Sequence, residues 1–251
     1  MKLALVVPGG VDRGGERRVI PALLALIERL AGLHELHVFA LRQEERPGTW
    51  KLRGAQVHNI GAGWPRARAV LAILAEHRAS PFDVVQSVFS GACGLVAVSA
   101  ARALRLPSVV HVAGGEPVRM PDIRFGGRVT WLGRCQEAVV MRAATAVTAA
   151  SEPELELLSN LGVAARRVPL GVDHVRDWPA REPVARRAGE PARLIHVATL
   201  NRVKDQPTLL LALAKLVPSH PLLQVDMVGE DTLAGEMRRL AVALGLGERV
   251  R

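Results

Sequence analysis

Four short stretches of the chain hold residue types that can do chemistry. The first is Pro8-Gly9-Gly10-Val11-Asp12-Arg13-Gly14-Gly15-Glu16-Arg17, which follows an apolar run and is expected to open a helix. Glycines let a backbone approach a ligand closely, and free N–H groups at a helix start attract phosphate. The spacing matches neither the dinucleotide fingerprint nor, without Gly-Lys-Ser/Thr, a Walker loop; a plain strand–helix turn fits it equally. The second is His111-Val112-Ala113-Gly114-Gly115-Glu116, at the carboxyl end of an expected strand, where open α/β sheets place ligands. His111 can hydrogen-bond a sugar hydroxyl or handle a proton near neutral pH, although a lone strand-end His is often structural. Glu116 on a glycine loop has little packing purpose there.

The third stretch, Val197 to Pro207, carries Thr199, Asn201, Arg202 and Lys204 just ahead of a helix expected to begin near Gln206 or Pro207. Lys204 is one of only four lysines. Two cations beside a helix N-terminus can hold a diphosphate and stabilise it as a leaving group, while solvated surface charge is the plainer alternative. The fourth, Val225-Asp226-Met227-Val228-Gly229-Glu230-Asp231, is a strand ending in a glycine turn close enough to such a loop to meet a nucleotide. Its two acids have no third ligand nearby, so no metal is expected.

These stretches must be positioned by the elements between them. Short apolar runs near Lys2–Val7, Glu35–Ala40, Ala55–Asn59, Asp83–Ser87, Ser108–Val112, Ala146–Thr148 and Arg167–Pro169 read as strands. Longer helical patterns alternate with them near Glu16–Ala31, Pro65–Arg78, Ala92–Leu104, Arg128–Arg142 and Glu152–Leu161. Such alternation means βαβ units and a parallel sheet. Ser151-Glu152-Pro153-Glu154 has the pattern of a capping box. The rhythm breaks between Gly171 and Pro191, so the expected division is a first domain over 1–173, a linker over 174–192 and a second domain over 193–251. The second repeats strand (Arg193–Val197), helix (Gln206–Val217), strand (Leu222–Val228), helix (Leu233–Leu244) and a strand from Arg249. Doubly wound sheets usually have about five or six strands, so this domain is expected to be incomplete and the chain truncated.

Composition narrows the classes. Hydrophobic residues make up 49%, mostly Ala, Leu and Val with no Tyr, which suits buried parallel strands under Ala/Leu helices. Cys93 and Cys135 stand apart from each other and from any ligand pattern, so neither a disulfide framework nor a zinc site is expected, and the cytoplasm is the expected compartment. The amino terminus is too short in its apolar run for a secretory signal, and no stretch has the roughly 18 apolar residues of a membrane span. A net charge of +9 favours an anionic partner, but it is spread along the chain without interleaved aromatics, which argues against nucleic acid.

Taken together and in order, these segments resemble the GT-B glycosyltransferases of family 4. Val168-Pro169-Leu170-Gly171-Val172-Asp173 is similar to the family's segment ahead of the linker, and Ala198 to Gln206 to its phosphate loop. Val228-Gly229-Glu230-Asp231 resembles the next strand–turn, and Leu244 to Val250 the lead-in to the third strand. The resemblance implies an α/β fold of two Rossmann-like parallel-sheet domains with an active site in the cleft between them. It implies a nucleoside-diphosphate sugar donor and transfer to a hydroxyl acceptor, carbohydrate or lipid-linked, with retention and with neither metal nor cofactor. By it, Gly14 and Gly15 lie near the donor phosphates and His111 faces the transferred sugar. Arg202 and Lys204 grip the diphosphate; Thr199, Asn201, Gly229 and Glu230 line the nucleotide, and Gly114, Gly115 and Glu116 the acceptor side. The commoner family pattern has an Arg where this chain has Thr199, and the family's paired-glutamate motif has no counterpart in these residues, which predicts low activity for the chain alone. A sugar-nucleotide epimerase or phosphorylase on the same scaffold, or a remnant that only binds nucleotide, are the alternatives. Trp64, Arg66 and Arg68 on one helix are the candidates for peripheral contact with the inner membrane surface, against an ordinary solvated face.

Overall fold

The computed structural model describes residues 1–171, 181–182, 187, 190 and 192–251. The chain divides into two compact units, Met1–Ala180 and Arg181–Arg251. Val172, Asp173 and most of the expected 174–192 linker lie outside the described residues.

The first unit is built on an eight-stranded sheet. Its strands are β1 (Lys2–Val7), β2 (Glu35–Ala40), β3 (Gly48–Leu52), β4 (Ala55–Asn59), β5 (Val84–Val88), β6 (Ser108–Val112), β7 (Ala146–Ala149) and β8 (Arg166–Arg167). Their order is β3-β4-β2-β1-β5-β6-β7-β8, with every pair parallel except β3 against β4. Leaving β3 aside, the chain winds outward from β1 in both directions, so the doubly wound sheet reverses between β1 and β5. β1 is buried along its whole length, as the centre of a sheet covered on both faces must be. One face packs Leu3, Leu5 and Val7 against Leu23, Leu24 and Ile27 of α1 (Pro21–Ala31). The other packs Ala4, Val6 and Phe39 against α2 (Pro65–Ala79) and α3 (Leu95–Leu104). Helices α4 (Trp131–Ala143) and α5 (Glu152–Asn160) complete the unit.

Local chemistry explains most boundaries. Glu154 accepts hydrogen bonds from the Ser151 amide at 3.0 Å and the Ser151 hydroxyl at 3.1 Å, which anchors the start of α5. The strand at Gly48–Leu52 was not expected; it forms because Arg53 (φ 49°) and Gly54 (φ 86°), both left-handed, close a tight hairpin onto β4. The helix expected from Glu16 begins at Pro21 instead. Gly15 (φ 68°) and Arg18 (φ 47°) take the left-handed conformation, which ends any helical path through them, and Pro21 then sets the first helical φ.

The second unit pairs β9 (Arg193–Val197) with β10 (Gln224–Val228), parallel, and continues to a parallel bridge between Val225 and Val250. Helices α6 (Gln206–Leu216) and α7 (Glu236–Ala243) bury Leu210, Leu213, Met237 and Ala241 against Leu223, Val225 and Leu246. Among the described residues no helix is long and apolar enough to cross a membrane. Cys93 and Cys135 are both free thiols, and burial pushes Cys93 up to about 12.

Helix α2 fixes its face through few residues: Ala69 and Ile73 are fully buried, whereas Leu71 is 64% exposed. Ile73→Ala is expected to cost about 2–5 kcal/mol through lost transfer and the cavity left behind, and Leu71→Ala less than about 0.5 kcal/mol. Urea unfolding of the two variants checks this.

Candidate functional site

In the first unit the carboxyl ends of β1, β5 and β6 meet at the reversal point of the sheet, and three turns leave it there. The turn after β1 is pinned from inside. Val11 donates its N–H to Gln43 Oε1 at 3.0 Å, and Gln43 in turn donates its own N–H to Asn59 Oδ1 at 2.9 Å. Gly10 is left-handed at φ 79°, and a Cβ there would fall 2.6 Å from Ile20, so only glycine closes this turn. Gly14 and Gly15 are held differently from the expectation. Their N–H groups bond to the Asp12 carboxylate (3.3 Å) and the Asp12 carbonyl (3.0 Å), and α1 starts only at Pro21. They are thus not free amides at a helix start; the short Asp12 side chain satisfies the turn itself.

The turn after β5 carries a group that the sequence pattern did not reveal. Phe89 sits at φ 73°, uncommon for a bulky residue, with its N–H bonded to the His111 carbonyl at 2.8 Å. It delivers Ser90, fully buried, between two carboxyl groups. The Ser90 hydroxyl donates to Glu137 Oε1 at 2.5 Å, and the Ser90 amide donates to Glu116 Oε1 at 3.1 Å. Burial raises both carboxyl groups above the ordinary range; hydrogen bonds from Ser90 oppose the shift at each, and the Glu116 charge adds to it at Glu137. Glu116 Oε2 is buried without a hydrogen-bond partner among the described residues. Beside it, Gly115 is required by packing, since a Cβ there would lie 2.2 Å from the Phe125 ring. Gly114 borders the Glu116 carboxylate, 3.1 Å from where its Cβ would stand.

His111, at the end of β6, pairs in register with Val88 and Thr148. Its Nδ1 lies 2.8 Å from Thr148 Oγ1, and its Nε2 is buried without a hydrogen-bond partner among the described residues. Burial lowers its pKa, partly opposed by Glu154, so the ring is neutral near pH 7. His111 and Thr148 line a cavity of about 360 Å³ with Arg29 of α1 and the Val168-Pro169-Leu170-Gly171 segment. One ring nitrogen is therefore held in place.

In the second unit, the chain between β9 and α6 makes a single 3₁₀ turn over Arg202–Lys204. Asn201 Oδ1 accepts the Val203 and Lys204 amides at 3.1 Å each, and Gln206, fully buried, donates to the Thr199 carbonyl at 3.1 Å. Asn201 and Thr199 thus shape the turn. Asp205 takes a left-handed conformation and no side chain caps α6, so the helix begins with uncapped amides. Lys204 makes no ion pair among the described residues, whereas Arg202 is paired with Glu236 of α7 at 3.1 Å. Gly229 lies against the same turn: a Cβ on it would fall 1.9 Å from the Ala198 carbonyl oxygen. Leu200 donates its N–H to the Glu230 carbonyl at 2.8 Å. Asp231 accepts the Leu233 and Gly235 amides at 2.8 and 2.7 Å, a capping role rather than a ligand role.

Sequence spacing had no means of finding Ser90, Glu137, Gln43 or Asn59, because their partners are far away in the chain. The one available signal was a polar residue inside an otherwise apolar pattern, as at Glu137 in α4. With a folded pKa raised above its unfolded value, Glu137 contributes stability that is fully present below about pH 4.5 and is lost as pH rises through the folded pKa. Glu137→Gln keeps an acceptor for Ser90 and removes the titration. Relative to wild type it is expected to gain stability as pH rises from 4.5 to 7.5, measured by urea unfolding at both values.

The family model for the glycosyl transferase 4-like domain matches residues 19–173. No curated protein matches the chain by sequence. Among solved structures, HepE of Anabaena in complex with UDP is 16% identical with a TM-score of 0.65, over 100% of this chain and 68% of that one. The lipopolysaccharide outer core galactosyltransferase WaaB, in its apo form, is 16% identical at a TM-score of 0.60, over 100% of this chain and 67% of that one. A putative UDP-N-acetylglucosamine 2-epimerase from Listeria monocytogenes is 12% identical at a TM-score of 0.57, over 100% and 68%. At such identities the likeness establishes the fold, which glycosyltransferases and epimerases share. With most of the first unit inside the family model, and with the α/β architecture of these neighbours, the chain belongs to the glycosyl transferase 4-like family of GT-B glycosyltransferases.

Proposed function

We propose that the protein transfers a glycosyl group from a nucleoside-diphosphate sugar to a hydroxyl acceptor, with retention and with no metal at the diphosphate. The observation that carries this reading is the cationic turn of the second unit. Lys204, which makes no ion pair among the described residues, stands beside the uncapped N-terminus of α6, where the helix dipole and the amides add to its attraction for a dianion. As the bond to the sugar breaks, negative charge grows on the departing diphosphate, and preformed cations and amides stabilise it there. Arg202 joins once a phosphate competes with Glu236 for its guanidinium. Gly229, which lets β10 approach the turn closely, and Glu230 lie where the nucleotide would pass.

In the first unit, His111 Nε2 would take a hydroxyl of the transferred sugar or acceptor. Glu116, with a spare carboxylate oxygen, and the Gly114–Gly115 backbone would form the acceptor side. The acceptor class is a carbohydrate or a lipid-linked sugar, and Trp64, 86% exposed beside Arg66 and Arg68, is the candidate for peripheral membrane contact. The UDP held by HepE makes uridine the first donor base to test.

Epimerase neighbours favour a second reading, a sugar-nucleotide epimerase on the same scaffold. Incubation with a UDP-sugar separates the two, because epimerisation proceeds without an acceptor and transfer does not. Binding of nucleotide with no turnover under either condition would mark a binding protein.

Lys204→Ala is expected to weaken UDP binding by about 1.5–3 kcal/mol, roughly ten- to hundredfold, in calorimetry on the intact chain. Unchanged affinity would remove the diphosphate role. Glu236→Gln, which releases Arg202, is expected to act in the opposite direction and tighten binding. Turnover is expected to be indifferent to added magnesium or manganese.

A further inference from the structure

On the face of the first sheet opposite the one His111 uses, β2 and β4 bring two imidazoles together beneath α2. His37 Nδ1 lies 3.0 Å from His58 Nε2, with the rings nearly parallel at 5.1 Å between centroids. Glu76, in the last third of α2, places Oε2 3.9 Å from His37 Nδ1 and Oε1 3.9 Å from His58 Nδ1. One donor atom from each of the three lies within 4.8 Å of the other two. From this arrangement we infer that His37, His58 and Glu76 form a binding site for a divalent zinc ion.

The donor chemistry selects the metal. Two imidazole nitrogens and one carboxylate suit zinc, which binds nitrogen at about 2.0–2.1 Å and usually keeps four ligands, the fourth here a water. Tetrahedral ligands at that bond length stand about 3.4 Å apart, and His37 Nδ1 lies 3.0 Å from His58 Nε2 and 3.9 Å from Glu76 Oε2, with all three donors within 4.8 Å of one another. Small side-chain shifts are enough to close the set.

The surroundings support it further. His37 Nε2 faces Glu35 Oε1 at 3.3 Å, the carboxylate partner that orients a ligating imidazole through its far nitrogen. Phe39 stacks on His58 at 4.7 Å and Phe82 meets His37 edge-on at 5.4 Å, so both rings are held before any ion arrives. The side chains of both histidines are only 12% exposed, while that of Glu76 is 37% exposed and leaves an entry path. The Lys2 ammonium pairs with Glu35 at 3.0 Å, and among the described residues no Lys or Arg pairs with Glu76, which leaves its charge for the ion. Because α2 fully buries only Ala69 and Ile73, an ion joining Glu76 to β2 and β4 would fasten a weakly packed helix to the sheet.

The test is zinc competition against a chromophoric chelator, together with thermal unfolding, on the full chain in a Cys135→Ser background that removes the exposed thiol. The expected result is one equivalent of zinc bound and a raised unfolding midpoint, since an ion that binds only the folded state stabilises it. His37→Gln, His58→Gln and Glu76→Gln are each expected to weaken zinc by at least about tenfold and to lose the midpoint shift, while His220→Gln at an exposed position keeps both. Glu76→Gln leaves the buried rings untouched and keeps the test usable if a histidine variant does not fold. Failure of the parent to bind an equivalent of zinc, or equal zinc affinity in parent and Glu76→Gln, would overturn the site. Neither outcome depends on the donor or acceptor of the transferase reaction.

Discussion

Parallel strands can be joined only by crossovers, so every strand of such a sheet delivers its carboxyl end to the same rim. That constraint organises both units. In the first, it brings the turns after β1, β5 and β6 together at the reversal of strand order, although Gly10, Ser90 and His111 are far apart in the chain. In the second, it sets the Gly229 turn after β10 directly against the Ala198–Thr199 backbone after β9. The helices return along the faces of the sheet, so their N-termini point toward the rim, where an anion is best received.

What each turn offers depends on how completely it satisfies itself. The turn at Asp12 uses its own carboxylate and carbonyl to hold the Gly14 and Gly15 amides, and little attraction for a ligand is left in it. The turn before α6 is the reverse. Asn201 and Gln206 organise it from within, while among the described residues no side chain caps the helix amides and the Lys204 ammonium makes no ion pair. At β5 and β6 the surplus is of another kind: a carboxylate oxygen on Glu116 and a ring nitrogen on His111, both buried and both without hydrogen-bond partners among the described residues. Buried polar atoms are costly when left unsatisfied, and a polar ligand that supplies the missing bonds recovers that cost.

The two faces of the first sheet carry different chemistry for a geometric reason. Side chains alternate along a strand, so His37 and Phe39 on β2 point toward α2 while Leu36, Val38 and Ala40 point toward α1. The two histidines therefore meet on the face away from His111, stacked with aromatic rings in a partly dry layer. Burial there holds His58 down at about 4, with Glu76 acting against the shift.

Much of this was legible in the order of the residues. Alternating apolar runs and helical patterns reflect periods that the backbone imposes locally, so the strands Lys2–Val7, Glu35–Ala40 and Ser108–Val112 and the start of α5 could be read directly. The glycine and cation motifs were legible for the same reason, since each is confined to a few consecutive residues. Three kinds of feature were not. Left-handed conformations at Arg18, Arg53 and Phe89 run against the ordinary preference of those residue types, and they moved the start of α1, closed the hairpin of β3 and aimed Ser90. Buried polar partnerships, Ser90 with Glu137 and Gln43 with Asn59, join residues that the chain keeps distant. The His37–His58–Glu76 cluster exists only because two strands pair in one register and a helix crosses them, and register is a property of the folded sheet. Sequence alone determined most of the elements and which residues carry charge at their ends; tertiary structure added β3, set the start of α1 and decided which residues meet, because contact in three dimensions is set by pairing and packing rather than by spacing along the chain.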